Sequence, residues 1–327
     1  MSAAGRGVSA AGRGVSAAGR GRGRGASGPR ALVVGLVLAV VALAGCSTPA
    51  VTPAPGQISV VTTTTVLADL VRQIAGSHAV VTSLVPKGGD VHTFDPRPSS
   101  MRAVSSAAVI IRNGLGLDDW VASMVANTGT KAPIVAVGED LAGVTYLAGQ
   151  GGSSVNPHIW MNVANTERIV ERIAAELEAA DVPNAQAYAD VATAYEAQLA
   201  ALDTELHARM ATIPAANRTV IAFHDAFPYL ADAYGLHIDG TIVSAPGQDP
   251  SAGSLADLVG AIRRDNVKAV FTEAQFNDEL ARTIAAETGV EVVSGLYDDT
   301  IGDAPLDSYV AIMRHDVEQV AKALGGS

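Results

Sequence analysis

Seven histidines are spread over the 327 residues, and three of them stand where an α/β protein presents ligand-binding side chains. His92 follows a β-branched run and the turn Pro86-Lys87-Gly88-Gly89-Asp90; His158 lies in Asn156-Pro157-His158-Ile159-Trp160; His224 ends the run RTVIAF. All three project from loops, two of them directly after the carboxyl ends of strands, where ligands bind in open α/β sheets. A carboxylate in a comparable place comes from Tyr297-Asp298-Asp299-Thr300, immediately after VEVVS. Three neutral imidazole nitrogens and one carboxylate oxygen complete a tetrahedral shell around a divalent ion at about 2.0 to 2.2 Å. On spacing, either aspartate serves. His78, His207, His237 and His315 lack convergent partners and read as ordinary surface or packed residues.

The elements that must position these side chains are legible as an alternation. ISVVTTTT, AVVTSL, AVIIR, PIVAV, RTVIAF, LHIDGTIV, KAVFT and VEVVS are strand-like, and helix-favouring stretches separate them. Such spacing predicts βαβ units and mostly parallel sheets, an α/β fold. Between the fourth and fifth runs lies a long helical region, roughly Ala164 to Met210, broken near Asp181-Val182-Pro183. Its second part, Asn184 to Met210, predicts one helix of about 27 residues, or about 40 Å. The expected organisation is an N-terminal lobe over 58–180, a connecting helix within 181–212 and a C-terminal lobe over 213–327. The stripe Leu255, Leu258, Ile262 reads as core.

The N-terminus has a different character. Residues 1–45 hold six arginines and no acid, so the formal charge of −11 understates the acidity of residues 46–327. An acidic body of this kind repels phosphate backbones, and nucleic acid is not an expected partner. SAAGRGV repeats, then ALVVGLVLAVVALAG gives fifteen uncharged residues, short for a membrane span and right for a signal-peptide core behind a basic flank. The chain's one cysteine, Cys46, comes after Leu43-Ala44-Gly45, which resembles a bacterial lipobox. That resemblance implies a signal peptide over 1–45, lipidation of Cys46 and a Pro-rich tether over 46–57. The protein is then held at the outer face of the cytoplasmic membrane.

Four further stretches are similar to signatures of the metal-binding solute-binding lipoproteins of ABC importers. They are PKGGDVHTFDPRPS, NPHIWMNVAN, FHDAFPYLADAYGL and GLYDDTIG, supported by Asn113–Trp120 and Phe271–Phe276. The resemblance spans essentially 58–327. It implies two α/β lobes, each a mostly parallel sheet flanked by helices, joined by one long rigid helix, with metal held in the cleft between them. Carried onto this sequence, it assigns His92, His158, His224 and Asp299 as ligands, with Asp298 as the alternate; Trp160, two residues beyond His158, is expected to line the cleft. Val91, Asn156 and Asn162 depart from the family pattern, which has proline, aspartate and aspartate there. Loss of carboxylates near His158 either weakens the polarisation of that ring or hands the task to an amide or carbonyl.

Three nitrogens with one oxygen favour Zn2+ over Mn2+, which prefers more oxygen. The expected role is capture and delivery by a monomer to a membrane permease driven by a separate ATPase, with no enzymatic activity. A metal-dependent surface adhesin is a remoter reading. A zinc hydrolase would need an open coordination position and a base, and only Glu273 or Asp225 offers itself; the H-E-x-x-H motif is absent. There is also no phosphate-binding G-x-x-x-x-G-K-[ST] loop and no G-x-S-x-G elbow.

Overall fold

The computed structural model describes residues 53–150 and 155–326, so the leader, Cys46 and the first part of the tether lie outside the described residues. The β-branched run at residue 58 forms β1 (Ile58–Thr62), which ends before its threonines do because Thr64 has another task. Its side chain accepts the backbone N–H of Leu67 and caps α1 (Thr65–Ala75), satisfying one of the free amides of the first turn. Next come β2 (Ala79–Ser83), α2 (Pro98–Ser106), β3 (Val109–Arg112), α3 (Trp120–Thr128) and β4 (Ile134–Ala136). The strands pair in parallel in the order β2-β1-β3-β4.

A second sheet repeats that order. It is built from β5 (Thr219–Ala222), α6 (Pro228–Tyr234), β6 (His237–Thr241), α7 (Ala252–Arg264), β7 (Ala269–Glu273), α8 (Glu279–Thr288) and β8 (Glu291–Leu296). All pairs are again parallel, in the order β6-β5-β7-β8. In both sheets the connections reverse direction between the first and third strands, the switch point at which such sheets open a crevice beyond their carboxyl ends. α6 stops at Gly235, whose φ of 74° suits glycine and lets the N–H groups of Gly235 and Leu236 both reach the Ala231 carbonyl.

Between the sheets run α4 (Val163–Ala180) and α5 (Ala185–Ala211), the latter 27 residues long. The break between them is a 3-10 turn, Val182–Asn184, fastened by Asp181, whose Oδ2 accepts from Asn184 Nδ2 and Tyr188 Oη. Along α5 the buried residues are Tyr188, Ala192, Tyr195, Leu199, Leu202, Leu206 and Met210, one stripe at steps of three and four. It packs chiefly on α4 and on the last helix, α9 (Tyr309–Ala323). The sheets therefore share a core, since one apolar cluster runs from Val60 and Ile111 through this stripe to Val220 and Phe271. α9 is also tied to the first half: Tyr309 donates its N–H to Asp69 at 2.7 Å and its hydroxyl to the Trp160 carbonyl at 2.7 Å. Among the described residues no helix is long and apolar enough to cross a membrane.

Candidate metal centre

His224 stands two residues beyond β5, and Asp299 three beyond β8. His92 lies in the long connection from β2 to α2, and His158 immediately before the 3-10 turn Ile159–Met161 that leads into α4. The loop of His158 is held at the first sheet's switch point, where Asn113 Nδ2, just past β3, donates to the Pro157 carbonyl at 3.0 Å. Local backbone bonding also fixes His92, whose N–H reaches Asp90 Oδ1 at 2.9 Å.

These four residues converge. One ligand atom from each of His92, His158, His224 and Asp299 lies within 4.8 Å of all the others. His92 Nε2 is 3.3 Å from Asp299 Oδ2, and His158 Nε2 is 3.7 Å from Asp299 Oδ1. A tetrahedral ion with bonds of about 2.0 to 2.2 Å sets neighbouring ligand atoms about 3.3 to 3.6 Å apart, so the spacing matches a shell around one ion. The three Nε2 atoms and both Asp299 oxygens are buried and have no hydrogen-bond partner. Leaving five polar atoms unpaired in one place is strongly unfavourable unless something positive joins them.

The other ring nitrogens are occupied. His224 Nδ1 is 3.1 Å from Glu273 Oε1, and His158 Nδ1 is 3.0 Å from Asn156 Oδ1. Such partners fix the orientation of each ring and turn Nε2 inward. Asn156 thus takes by its amide oxygen the place that an aspartate holds in the family pattern. Its Nδ2 donates to the Asp225 carbonyl and to Asp225 Oδ2, at 2.7 and 3.0 Å, which a carboxylate could not do. Asn162 has a structural task, capping α4 by accepting from Ala164 N. Val91 is fully buried, and its carbonyl accepts from Trp120 Nε1.

Electrostatics reflect the burial. Desolvation drives His158 well below the usual histidine range, with Asp299 opposing and the other two histidines reinforcing. His224 is also penalised by desolvation, but Glu273, Asp298 and Asp299 outweigh it and push it up to about 10. Burial would raise Asp299, yet the close approach and charge of His92 and the charges of His158 and His224 bring it down to about 2. Asp298 goes the other way, well above the carboxylate range, because burial and the nearby Asp299 both disfavour its charge.

Asp298 lies outside the four-atom cluster and belongs to a second group with His224 and Glu273. Trp160 is buried, its ring 5.4 Å from that of His158, and its Nε1 donates to the Asp298 carbonyl at 2.9 Å. It therefore serves core and site together. His78, His207, His237 and His315 remain apart from the cluster. Sequence reasoning gave Glu273 no place beside a histidine, although the parallel register holds the signal. Ala222 pairs with Phe271, so the residues two further on, 224 and 273, leave adjacent strands side by side.

The recess that holds the histidines is small, about 90 Å³, and is bordered by Gly116, Gln150, Asn156 and Ser244–Pro246. That admits an ion and excludes organic solutes, whose pockets run to about 300 Å³ or more. A larger cavity of about 520 Å³ beside Phe223 and Phe276 contains none of the four residues.

Known proteins resemble this chain in sequence and in fold. The manganese-binding lipoprotein MntA of Halalkalibacterium halodurans is 30% identical over 269 residues, 82% of this chain and 88% of that protein. The iron-binding protein YfeA of Yersinia pestis is 29% identical over 271 residues, 82% and 87% of the two chains. Among solved structures, the periplasmic zinc binding protein TroA from Treponema pallidum superposes with a TM-score of 0.76 at 24% identity, covering 82% of this chain and 99% of that one. The last shows likeness of fold. The family model described as zinc-uptake complex component A, periplasmic (ZnuA), matches residues 60–323, and the chain belongs to that family.

Proposed function

We propose that this protein is the metal-capturing component of an ABC importer, taking a divalent transition-metal ion between its two sheets and handing it to a permease driven by a separate ATPase. The observation that carries this reading is the convergence of three buried Nε2 atoms and the Asp299 carboxylate, all unpartnered. His92, His158, His224 and Asp299 are the proposed ligands. Zn2+ is the preferred cargo because three imidazoles and one carboxylate suit it, with Mn2+ as the alternative. Names among the relatives include manganese, iron and zinc, so the choice rests on the ligand set.

The same reading treats 58–180 and 213–327 as the two lobes, 181–212 as their connection, and 1–45 as a signal peptide. Cys46 is the proposed lipid anchor, 46–57 the tether, and the protein works as a monomer at the outer face of the cytoplasmic membrane. A hydrolytic zinc site is disfavoured because both candidate bases are engaged. Glu273 faces His224, and Asp225 accepts from Asn156 Nδ2 and the Gln150 N–H. Competitive titration with Zn2+ and Mn2+ tests the proposal, using the protein beside His224→Ala and Asp299→Ala. Tight 1:1 binding lost in both variants is the expected result; binding unaffected by either would refute the ligand set.

A further inference from the structure

We infer that Asp298 is a second carboxylate donor, drawn onto the captured ion when that ion is larger and oxygen-preferring, of the Mn2+ class, and left out when it is zinc. The inference rests on the reading of the four-residue cluster as a metal-capture centre and adds a determinant of its metal range.

A buried aspartate kept only for structure is normally saturated with donors, and this protein provides the comparison. Asp118, fully buried, takes Thr63 Oγ1 at 2.6 Å and the N–H groups of Asn113 and Gly114 at 2.7 and 2.9 Å. Asp316, also fully buried, takes the Tyr297 N–H on both oxygens. In both of these each oxygen has a donor; Asp298 is just as buried, but its one partner, Gln275 Nε2 at 2.5 Å, reaches only Oδ1, and Oδ2 accepts no hydrogen bond. That free oxygen faces the metal-binding nitrogen of His224 at 3.5 Å, within the range of separations in the cluster itself. Two atoms at that spacing can share one ion.

The oxygen is also aimed. Trp160 Nε1 holds the Asp298 carbonyl, Gln275 holds Oδ1, and the neighbouring Tyr297 N–H is held by Asp316. With both ends fixed, Oδ2 stays beside His224. Asp298 is not part of the four-atom cluster, so its carboxylate must shift inward to join an ion held by the other four, and the longer bonds of a larger ion, about 2.2 Å, shorten that shift. Zinc is satisfied by four ligands at tetrahedral spacing and has no need of it. Manganese favours oxygen and higher coordination, and Asp298 supplies both.

The test is Asp298→Asn, close in shape, in the detergent-solubilised full-length chain, titrated competitively with Zn2+ and Mn2+ and loaded with Co2+ for its visible absorption. The expected result is zinc affinity within about threefold of the parent, manganese affinity weakened about tenfold or more, and cobalt bands that gain intensity as the shell approaches four-coordinate. Retained zinc binding certifies the fold of the variant; Asp298→Ser, tested likewise, guards against a defect peculiar to the amide. Unchanged manganese affinity and an unchanged cobalt spectrum would overturn the role of Asp298 while leaving the capture centre intact. Equal loss of both metals would also overturn it, making Asp298 an ordinary ligand. Failure of the parent chain to bind either metal would instead refute the capture reading, and this inference with it.

Discussion

His224 Nδ1 and Glu273 Oε1 lie 3.1 Å apart at the ends of adjacent parallel strands, with both side chains buried. The carboxylate orients the ring and raises its basicity, the usual task of an acid behind a metal-binding histidine. Glu273→Gln keeps the shape and removes the charge. Zinc affinity is expected to fall about 10-fold to 100-fold, measured by competition with a chelating dye.

The same pair sets the pH dependence of binding. His224 is pushed up to about 10 in the metal-free protein, so at neutral pH its ring carries a proton that the ion must displace. Apparent zinc affinity should drop about tenfold for each unit that pH falls below that value, with one proton released per ion. His158, held neutral by burial, adds nothing to this slope, and Asp299 is ionised throughout. Calorimetry in buffers of different ionisation enthalpy measures the proton; a flat profile between about pH 6 and 8 would contradict the assignment.

Asn156→Ala removes the acceptor on His158 Nδ1 and one donor to Asp225 together. Zinc binding should weaken by about tenfold or more. Asn156→Asp restores the acceptor but sets two carboxylates side by side, so it should retain more affinity than the alanine variant and lose more stability. Paired metal titrations and urea denaturation separate the two effects.

Stability should depend far more on buried carboxylates than on surface pairs. Asp118→Ala strands the Thr63 hydroxyl and two backbone N–H groups and is expected to cost about 3 kcal/mol in urea unfolding. The Arg314–Glu205 pair, with both side chains about half exposed, should contribute less than about 1 kcal/mol when Glu205 is replaced by Ala.

Trp160 should report loading, since its ring abuts His158 and its Nε1 is bonded to the Asp298 carbonyl. In a Trp120→Phe background, zinc should change the emission of this remaining tryptophan. Adding His158→Ala should abolish that change.

The elements are legible because strand signals in this chain are short and well separated. LHIDGTIV forms β6 and KAVFT forms β7, and the expected long helix, Asn184 to Met210, runs from Ala185 to Ala211. ISVVTTTT yields a shorter strand than its β-branched run suggests, because Thr64 caps α1. His92, His224 and Asp299, marked by positions after strands and by family signatures, and His158, marked by its signature, are brought into one cluster. Glu273 and Gln275 are not legible as neighbours of the site. Their partners, His224 and Asp298, are 49 and 23 residues away, and only strand order and register bring them together. The amide of Asn156, a departure in sequence, makes sense once Asp225 is seen beside it.

The fastening of the last helix to the first half bears on the order in which this protein becomes competent. Asp299 and the anchor Tyr309 both belong to the final 29 residues, and Tyr309 reaches back to Asp69 and Trp160. All three histidines of the proposed set precede Asp299, and the strap that seats it, along the chain. Three imidazoles without that carboxylate leave the fourth tetrahedral position open. On the proposed ligand set, the site therefore closes only when the segment from Asp299 to Tyr309 has packed back against the first half.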